Sequence, residues 1–343
     1  MAAVAHRALE RLAPALVVLL VATAACAGSG EEAAKPEPPR GEASQRILRE
    51  LSLANDAGAI ALVRTGAATW HGAAGREDGR LAAATDRFAI GSVTKTFVAT
   101  AVLLLVADGR LSLADTVDTH LPGRLRGGRR ITIRHLLNHT SGLGSEFSVD
   151  LSPVTAQPPL VSPPGSAHSY SNQNYRVLGV IVERVTRRPL EAVVRDLVFR
   201  PLRLYDTSYG TATLRPPTRR SRPWLGLASE EPDVHGGGGI VSTTDDLATF
   251  FGALLGGDLL PTPERRAMTS TVAIDEARAR AGLGIFEFRL PCGVAWGHGG
   301  GEWVYSDHVL TSGDGSKTVV VAQAVPNTGW PSARDAAFEM FCR

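Results

Sequence analysis

The stretch after Leu283 constrains the fold most. Ile285–Leu290, Val294–Gly297, Trp303–Leu310 and Thr318–Ala324 are short β-prone runs, and Pro291-Cys292-Gly293 and Ser312–Ser316 are hairpin-like turns among them. Turns that short join neighbouring strands, so these strands pair antiparallel. A sheet of this kind needs helices or a second sheet to cover its apolar face. Helical patterns stand at both ends of the chain to supply it: Ile47, Leu48, Leu51 and Leu53 within Ala43–Asn55, and a closing helix over Ser332–Phe341. Ala59–Val63 and Thr69–Gly75 add two strands turned at Thr65-Gly66. The expected fold is α+β, an antiparallel sheet flanked by terminal helices with an inserted helical subdomain.

The insertion starts where the pattern changes. Val93, Phe97, Ala101, Leu104 and Leu105 fall on one face of a helix that Gly109 stops. Val177–Val185 and Leu190–Phe199 are further helices among Pro-rich loops. Asp245–Leu255, capped by Ser242, Thr243 or Thr244, is a helix beyond the insertion. One domain over residues 43–343 is expected, with 43–90 and 235–343 as its α/β part and 91–234 mostly helical.

The first 26 residues read as an export signal. Arg7 and Arg11 precede the apolar run Leu12–Ala25, of a length that suits a signal and is short for a membrane span. Thr23-Ala24-Ala25-Cys26 resembles a lipobox, with Thr23 where leucine is usual, and makes Cys26 the candidate lipid anchor. Cleavage nearby, releasing a soluble protein, is the alternative. Residues 27–42 then form a charged, Pro-containing tether. Apart from such an anchor, no membrane contact is expected. With 36 basic against 34 acidic residues, nothing draws the chain to nucleic acid.

Cys292 and Cys342 remain, and two cysteines in an exported domain are expected to pair. The loop closed, of roughly 50 residues, makes the bridge worth about 4 kcal/mol. Two thiols so far apart offer no local ligand pair for zinc.

The chemistry centres on "FAIGSVTKTF", where Ser92 and Lys95 stand three residues apart. A serine hydroxyl is a weak nucleophile until a base takes its proton, and a lysine one helical turn on can reach it. Arginine keeps its proton and cannot serve. Lys35, Lys95 and Lys317 are the only lysines in an arginine-rich chain, which sets Lys95 apart. S-x-x-K alone is a spacing that chance often supplies. "HSYSNQNY" adds Tyr170, a phenol able to relay a proton, and Asn172, an amide able to orient substrate; Asn172 or Asn174 also suits a helix cap. "WGHGGGEW" places His298 at the end of a strand before Gly299, Gly300 and Gly301. A backbone N–H of Gly301, with that of Ser92, would hold an oxyanion. The pair His135 and His139 lacks the glutamate of a zinc protease motif, so packing or capping is expected of them, and "HGGGG" reads as a tight turn.

Taken in order, S-x-x-K, Y-x-N and H-x-G resemble the penicillin-recognising serine hydrolases, most closely the class C β-lactamase and D-alanyl-D-alanine carboxypeptidase branch. "ITIRHLLNHTSGL", "PGSAHSYSNQNYRVLGVIVERVT" and "GGIVSTTDDLATFF" carry the same resemblance. It implies an acyl-enzyme on Ser92 assisted by Lys95 and Tyr170, Asn172 on the substrate, His298 in place of the usual lysine, and no metal or organic cofactor. The expected activity is that of an exported D-alanyl-D-alanine carboxypeptidase-like or β-lactamase-like serine hydrolase, with a cell-wall peptide, a β-lactam or an ester as substrate.

One position departs from the pattern. Relatives commonly carry a hydroxyl where this chain has Gly299, and it helps grip a substrate carboxylate. An esterase or amidase on the same fold is therefore the alternative activity, and a lipid-tethered binding or sensor protein the alternative class. Arg278, Arg280 and Arg289 are candidates to replace the lost grip.

Overall fold

The computed structural model describes residues 41–77, 80–144, 157–209, 236–302, 305–324 and 332–343. The expected signal, Cys26 and the tether up to residue 40 lie outside the described residues, as does Trp303.

The chain begins with α1 (Gly41–Asn55), whose Ile47, Leu48 and Leu51 are buried on one face; Leu53, expected with them, is exposed. The helix starts two residues inside the expected tether. Strands β1 (Ala59–Thr65) and β2 (Ala68–Ala74) follow, then the short β3 (Arg76–Glu77), β4 (Arg80–Leu81) and β5 (Phe88–Ala89). A 3-10 turn, Gly91–Val93, leads into α2 (Thr94–Ala107). The helical part continues with α3 (Val117–His120), α4 (Ile133–Leu137), α5 (Asn172–Thr186) and α6 (Leu190–Val194), which runs into a π-helical turn at Arg195–Phe199. After β6 (Ser208–Tyr209) and β7 (Ile240–Ser242) come α7 (Thr244–Gly256) and α8 (Thr262–Met268). The chain closes with β8 (Val272–Ala273), β9 (Ala279–Ala281), β10 (Phe286–Leu290), β11 (Gly293–Glu302), β12 (Tyr305–Ser312), β13 (Lys317–Gln323) and α9 (Ala333–Phe341).

One antiparallel sheet in the order β2-β1-β13-β12-β11-β10-β9-β8 organises these elements. Its central strands are apolar on both faces. Ala59, Ala61, Val319 and Val321 pack with Ile47, Leu51, Ala337 and Met340 of α1 and α9. Ile60, Leu62, Val309 and Val320 face the larger core that holds Phe97, Phe250 and Phe251. Successive strand residues point to opposite faces, so a strand covered on both sides loses its polar positions. The α+β architecture with helices on the sheet's faces is the expected one.

Two local readings change. The single apolar face expected of α2 is instead burial all round, with Thr94–Leu103 and Leu105 inside the protein. Phe97 stacks on Phe250 at 3.7 Å and meets Phe199 edge-on at 5.7 Å. In the second change, the strand carrying His298 does not end there. β12 pairs with β11 from Ala295↔Ser312 to Glu302↔Tyr305, so the ladder carries the three glycines on as strand. Cross-strand pairing overrides the weak strand preference of glycine.

Candidate active site

Ser92 is placed by its predecessor. Gly91 has φ +43, and a Cβ there would stand 2.9 Å from the Gly301 nitrogen. Only glycine permits both the left-handed backbone and the close approach of this turn to β11. Ser92 lies in the 3-10 turn and Lys95 in the first turn of α2, not both in one α-helix. Three residues per turn still bring i and i+3 into line. The Lys95 Nζ donates to Ser92 Oγ at 2.9 Å and to the Gly237 carbonyl at 2.7 Å. Lys95 has no exposed surface. Its charge lies 5.1 Å and 5.9 Å from the ring centroids of Tyr170 and Tyr175, a cation–π setting that offsets part of its desolvation.

Tyr170 approaches from the segment ahead of α5, and its hydroxyl donates to Ser92 Oγ at 2.9 Å. One side of the ring opens to the cleft, leaving 37% of the residue exposed, while the hydroxyl end is enclosed. Burial raises the phenol's pKa well above its ordinary value, against a smaller opposing effect of the Ser92 hydrogen bond. The phenol is therefore protonated at neutral pH. Ser171, not Asn172 or Asn174, caps α5 by accepting from the Gln173 N–H. Asn172 is exposed beside Gly237, whereas Asn174 is buried and bonds Ser141 and His139. His139 is packed in the core and His135 caps α4 in a capping box with Thr132.

β11 brings the third group. His298 is buried, and its Nδ1 donates to the Gly299 carbonyl at 2.7 Å. A carbonyl can only accept, so the proton is on Nδ1 and Nε2 carries the lone pair. Burial, with help from the Lys95 charge, lowers the His298 pKa to about 3. The lysine that the resemblance implies at this position is here a neutral imidazole.

These groups border one cleft of about 340 Å³, lined by Ser92, Tyr170, His298 and Gly299–Gly301 on one side. The other side is formed by Phe286, Phe288 and Ile274, with Glu276, Asp307, His308 and Arg334. The arginines expected to serve as substitutes are elsewhere. Arg280 bonds Thr271, Arg289 bonds Glu287, and neither they nor Arg278 line the cleft. The cleft guanidinium belongs to Arg334 at the start of α9, ion-paired with Glu276. Sequence reading missed Arg334, Glu276, Asp307 and His308, because only sheet register and helix docking bring them here. Among the described residues no group of three or more His, Cys, Asp or Glu is arranged to hold a metal. Nor is any described helix long and apolar enough to cross a membrane.

Cys292, in the β10–β11 turn, is bonded to Cys342 at the end of α9, with Cα atoms 5.3 Å apart.

Comparison with known proteins follows the same lines. A family model described as beta-lactamase matches residues 51–339. Esterase EstB of Burkholderia gladioli is 39% identical over 199 residues, 49% of this chain and 50% of the esterase. Protein flp of Staphylococcus aureus (strain MW2) is 33% identical over 144 residues, 29% of its own length. The chain thus matches half or less of these curated relatives. Among solved structures, a D-stereospecific amidohydrolase from Streptomyces sp. is 31% identical with TM-score 0.74, covering 88% of this chain and 98% of that one. A penicillin-binding protein homologue from Pyrococcus abyssi, at 19% identity and TM-score 0.76, shares the fold. With the family model running from the first helix to the last and the amidohydrolase superposing over nearly its whole length, the chain belongs to the beta-lactamase family, whose members are serine hydrolases.

Proposed function

We propose that this chain hydrolyses an ester or amide through an acyl-enzyme on Ser92. The observation that carries the reading is the position of Ser92 Oγ, 2.9 Å from both the Lys95 Nζ and the Tyr170 hydroxyl. Lys95, in its unprotonated form, takes the Ser92 proton as Oγ bonds to the substrate carbonyl carbon. Tyr170, kept protonated by its surroundings, gives a proton to the departing oxygen or nitrogen and recovers one from Lys95. The N–H groups of Ser92 and Gly301, on segments that touch at Gly91, receive the oxyanion, and Gly300, where a Cβ would meet the Ile90 carbonyl at 2.3 Å, lets the segment before Ser92 pack on β11. Asn172 orients the substrate from the start of α5. Water then cleaves the ester by the reverse route.

An ester or amide is favoured over a D-alanyl-D-alanine peptide or a penicillin because the third motif lacks the hydroxyl that helps grip a substrate carboxylate and also the usual lysine's charge. His298 is neutral and Gly299 has no hydroxyl. The reading includes export, with Cys26 as lipid anchor. The Cys292–Cys342 bridge supports an oxidising compartment. Palmitate labelling of the full chain, lost in Cys26→Ser, tests the anchor.

The enzyme reading is tested by incubating the protein with an aryl ester, an amino-acid amide, a penicillin and a D-Ala-D-Ala peptide. Product and intact mass are recorded beside Ser92→Ala. Ester or amide turnover with a Ser92-dependent acyl adduct is expected. Undiminished hydrolysis by Ser92→Ala overturns the mechanism.

A further inference from the structure

Gly299 is not an empty position. It stands opposite His308 in the β11–β12 ladder, and a Cβ at 299 would lie 2.8 Å from the His308 Nδ1 and 3.2 Å from Cε1. Real Cβ atoms essentially never approach so closely, so a side chain at 299 and this ring compete for one space. The ring has no easy way to yield. Phe288 and Phe338 flank it with centroids at 5.2 Å and 5.6 Å, and the Arg334 guanidinium lies over both of those rings. His308 is 5% exposed, lines the cleft, and its buried Nε2 makes no hydrogen bond among the described residues.

We propose that His308 is a specificity-determining residue, its imidazole standing in the space that a third-motif side chain would need and thereby excluding substrates with a carboxylate beside the scissile bond. The proposal rests on the ester or amide reading above and narrows it to substrates with an uncharged group on that side. The charges agree. The one guanidinium that lines this part of the cleft among the described residues, that of Arg334, already pairs with the carboxyl group of Glu276. Burial lowers the His308 pKa to about 3, so the ring adds no positive charge at neutral pH. A substrate carboxylate entering here would lose water and meet only a guanidinium already neutralised by Glu276.

The test is a set of four proteins: the parent, Gly299→Thr, His308→Ser and the double variant. Thermal midpoints and kcat/KM are measured for the phenyl and m-carboxyphenyl esters of one acyl group. Gly299→Thr is expected to lower the midpoint, and His308→Ser in the same chain to recover most of the loss. The parent is expected to prefer the phenyl ester by roughly tenfold or more, and the double variant to bring that ratio toward one. Additive midpoint changes overturn the steric claim. Equal rates for the two esters in the parent, or an unchanged preference in the double variant, overturn the specificity claim. If no ester were cleaved at all, the function proposed above would fail, while the midpoint cycle would still decide where the His308 ring stands.

Discussion

The imidazole of His139 lies under the phenol ring of Tyr170, centroids 4.3 Å apart and planes at 30°. His139 adopts φ +59, a strained conformation for a residue with a Cβ, costing about 1–2 kcal/mol. The strain has a local use. Its Nδ1 accepts from the Ser171 N–H at 3.2 Å and from the Asn174 amide at 3.0 Å, and its carbonyl accepts from the Ser169 N–H. The segment bearing Tyr170 is thus hung on one neutral ring, whose pKa burial holds well below the ordinary value, with the Lys95 charge next in effect. His139 is a positioning residue. His139→Ala is expected to lower kcat about tenfold or more while KM changes little, because the Tyr170 proton path is misaligned and the cleft is not. His139→Asn, which keeps an acceptor near Nδ1, should recover part of the loss. A raised KM with unchanged kcat in both variants would contradict this role.

Tyr170→Phe separates the phenol's proton from its ring. The ring keeps its contact with His139 and the cleft, and only the hydroxyl 2.9 Å from Ser92 is lost. A fall in kcat of roughly 10²–10⁴ is expected, the usual range for losing a positioned acid–base group. Steady-state kinetics on an aryl ester reads it.

Lys95 admits no arginine. Its Nζ is fully buried with two hydrogen bonds of 2.9 Å and 2.7 Å, and a guanidinium in that space would overpack it and keep its proton. Lys95→Arg is expected to abolish acylation. Lys95→Met, similar in shape and uncharged, should fold and still leave Ser92 unacylated in intact-mass spectra. Rapid acyl-enzyme formation by Lys95→Met would show that Tyr170 or another group is the base.

How much of this could be read beforehand depends on how local each feature is. Ser92 and Lys95 are joined by three residues of chain, and the late strands by short turns, so both are visible in one dimension. Gly299 reads as a missing hydroxyl until β12 is aligned with β11, because only the register Gly299↔His308 shows what fills the gap. Arg334 escapes for the same kind of reason. It reaches the cleft only because α9 docks across the sheet, while Arg280 and Arg289, nearer in sequence to the third motif, find partners of their own. The burial of α2 on every side likewise follows from packing that no single-helix pattern reveals.

Buried neutral histidines set the response to acid. His298 and His308 are lowered to about 3, and His139 lies well below its ordinary value, each mainly by burial. Unfolded histidines take up protons near pH 6.5 while these three stay neutral, so their contribution is present above that pH and lost as it falls toward 3. Asp246 acts oppositely. Burial raises it to about 6, so between 3.8 and 6 the folded form holds a proton that the unfolded form releases. Among these four groups the balance is roughly two protons taken up on unfolding near pH 5, a slope of about 2–3 kcal/mol per pH unit, and the burial that lowers His135 and His168 acts in the same direction as the other histidines. Urea midpoints from pH 7 to 4.5 should fall steeply below 6. A flat profile would mean that these rings are solvated.

The bridge between Cys292 and Cys342 ties the β10–β11 turn to the last residues of the closing helix, across a sequence separation of 50. Closing a loop of that size removes about 4 kcal/mol of freedom from the unfolded chain. The Cys292→Ala, Cys342→Ala double variant is therefore expected to melt roughly 5–10 °C lower than the oxidised parent. The same change should appear when the parent is reduced. Activity at 25 °C should hold, because the bridge meets β11 at its first residue, Gly293, and the strand extends roughly 26 Å before reaching Gly301 beside Ser92. A bridge that acts only on the unfolded chain shifts the melting point and spares kcat/KM. A matching fall in kcat/KM well below the melting point would instead show that the end of α9 sets the shape of the cleft through Arg334.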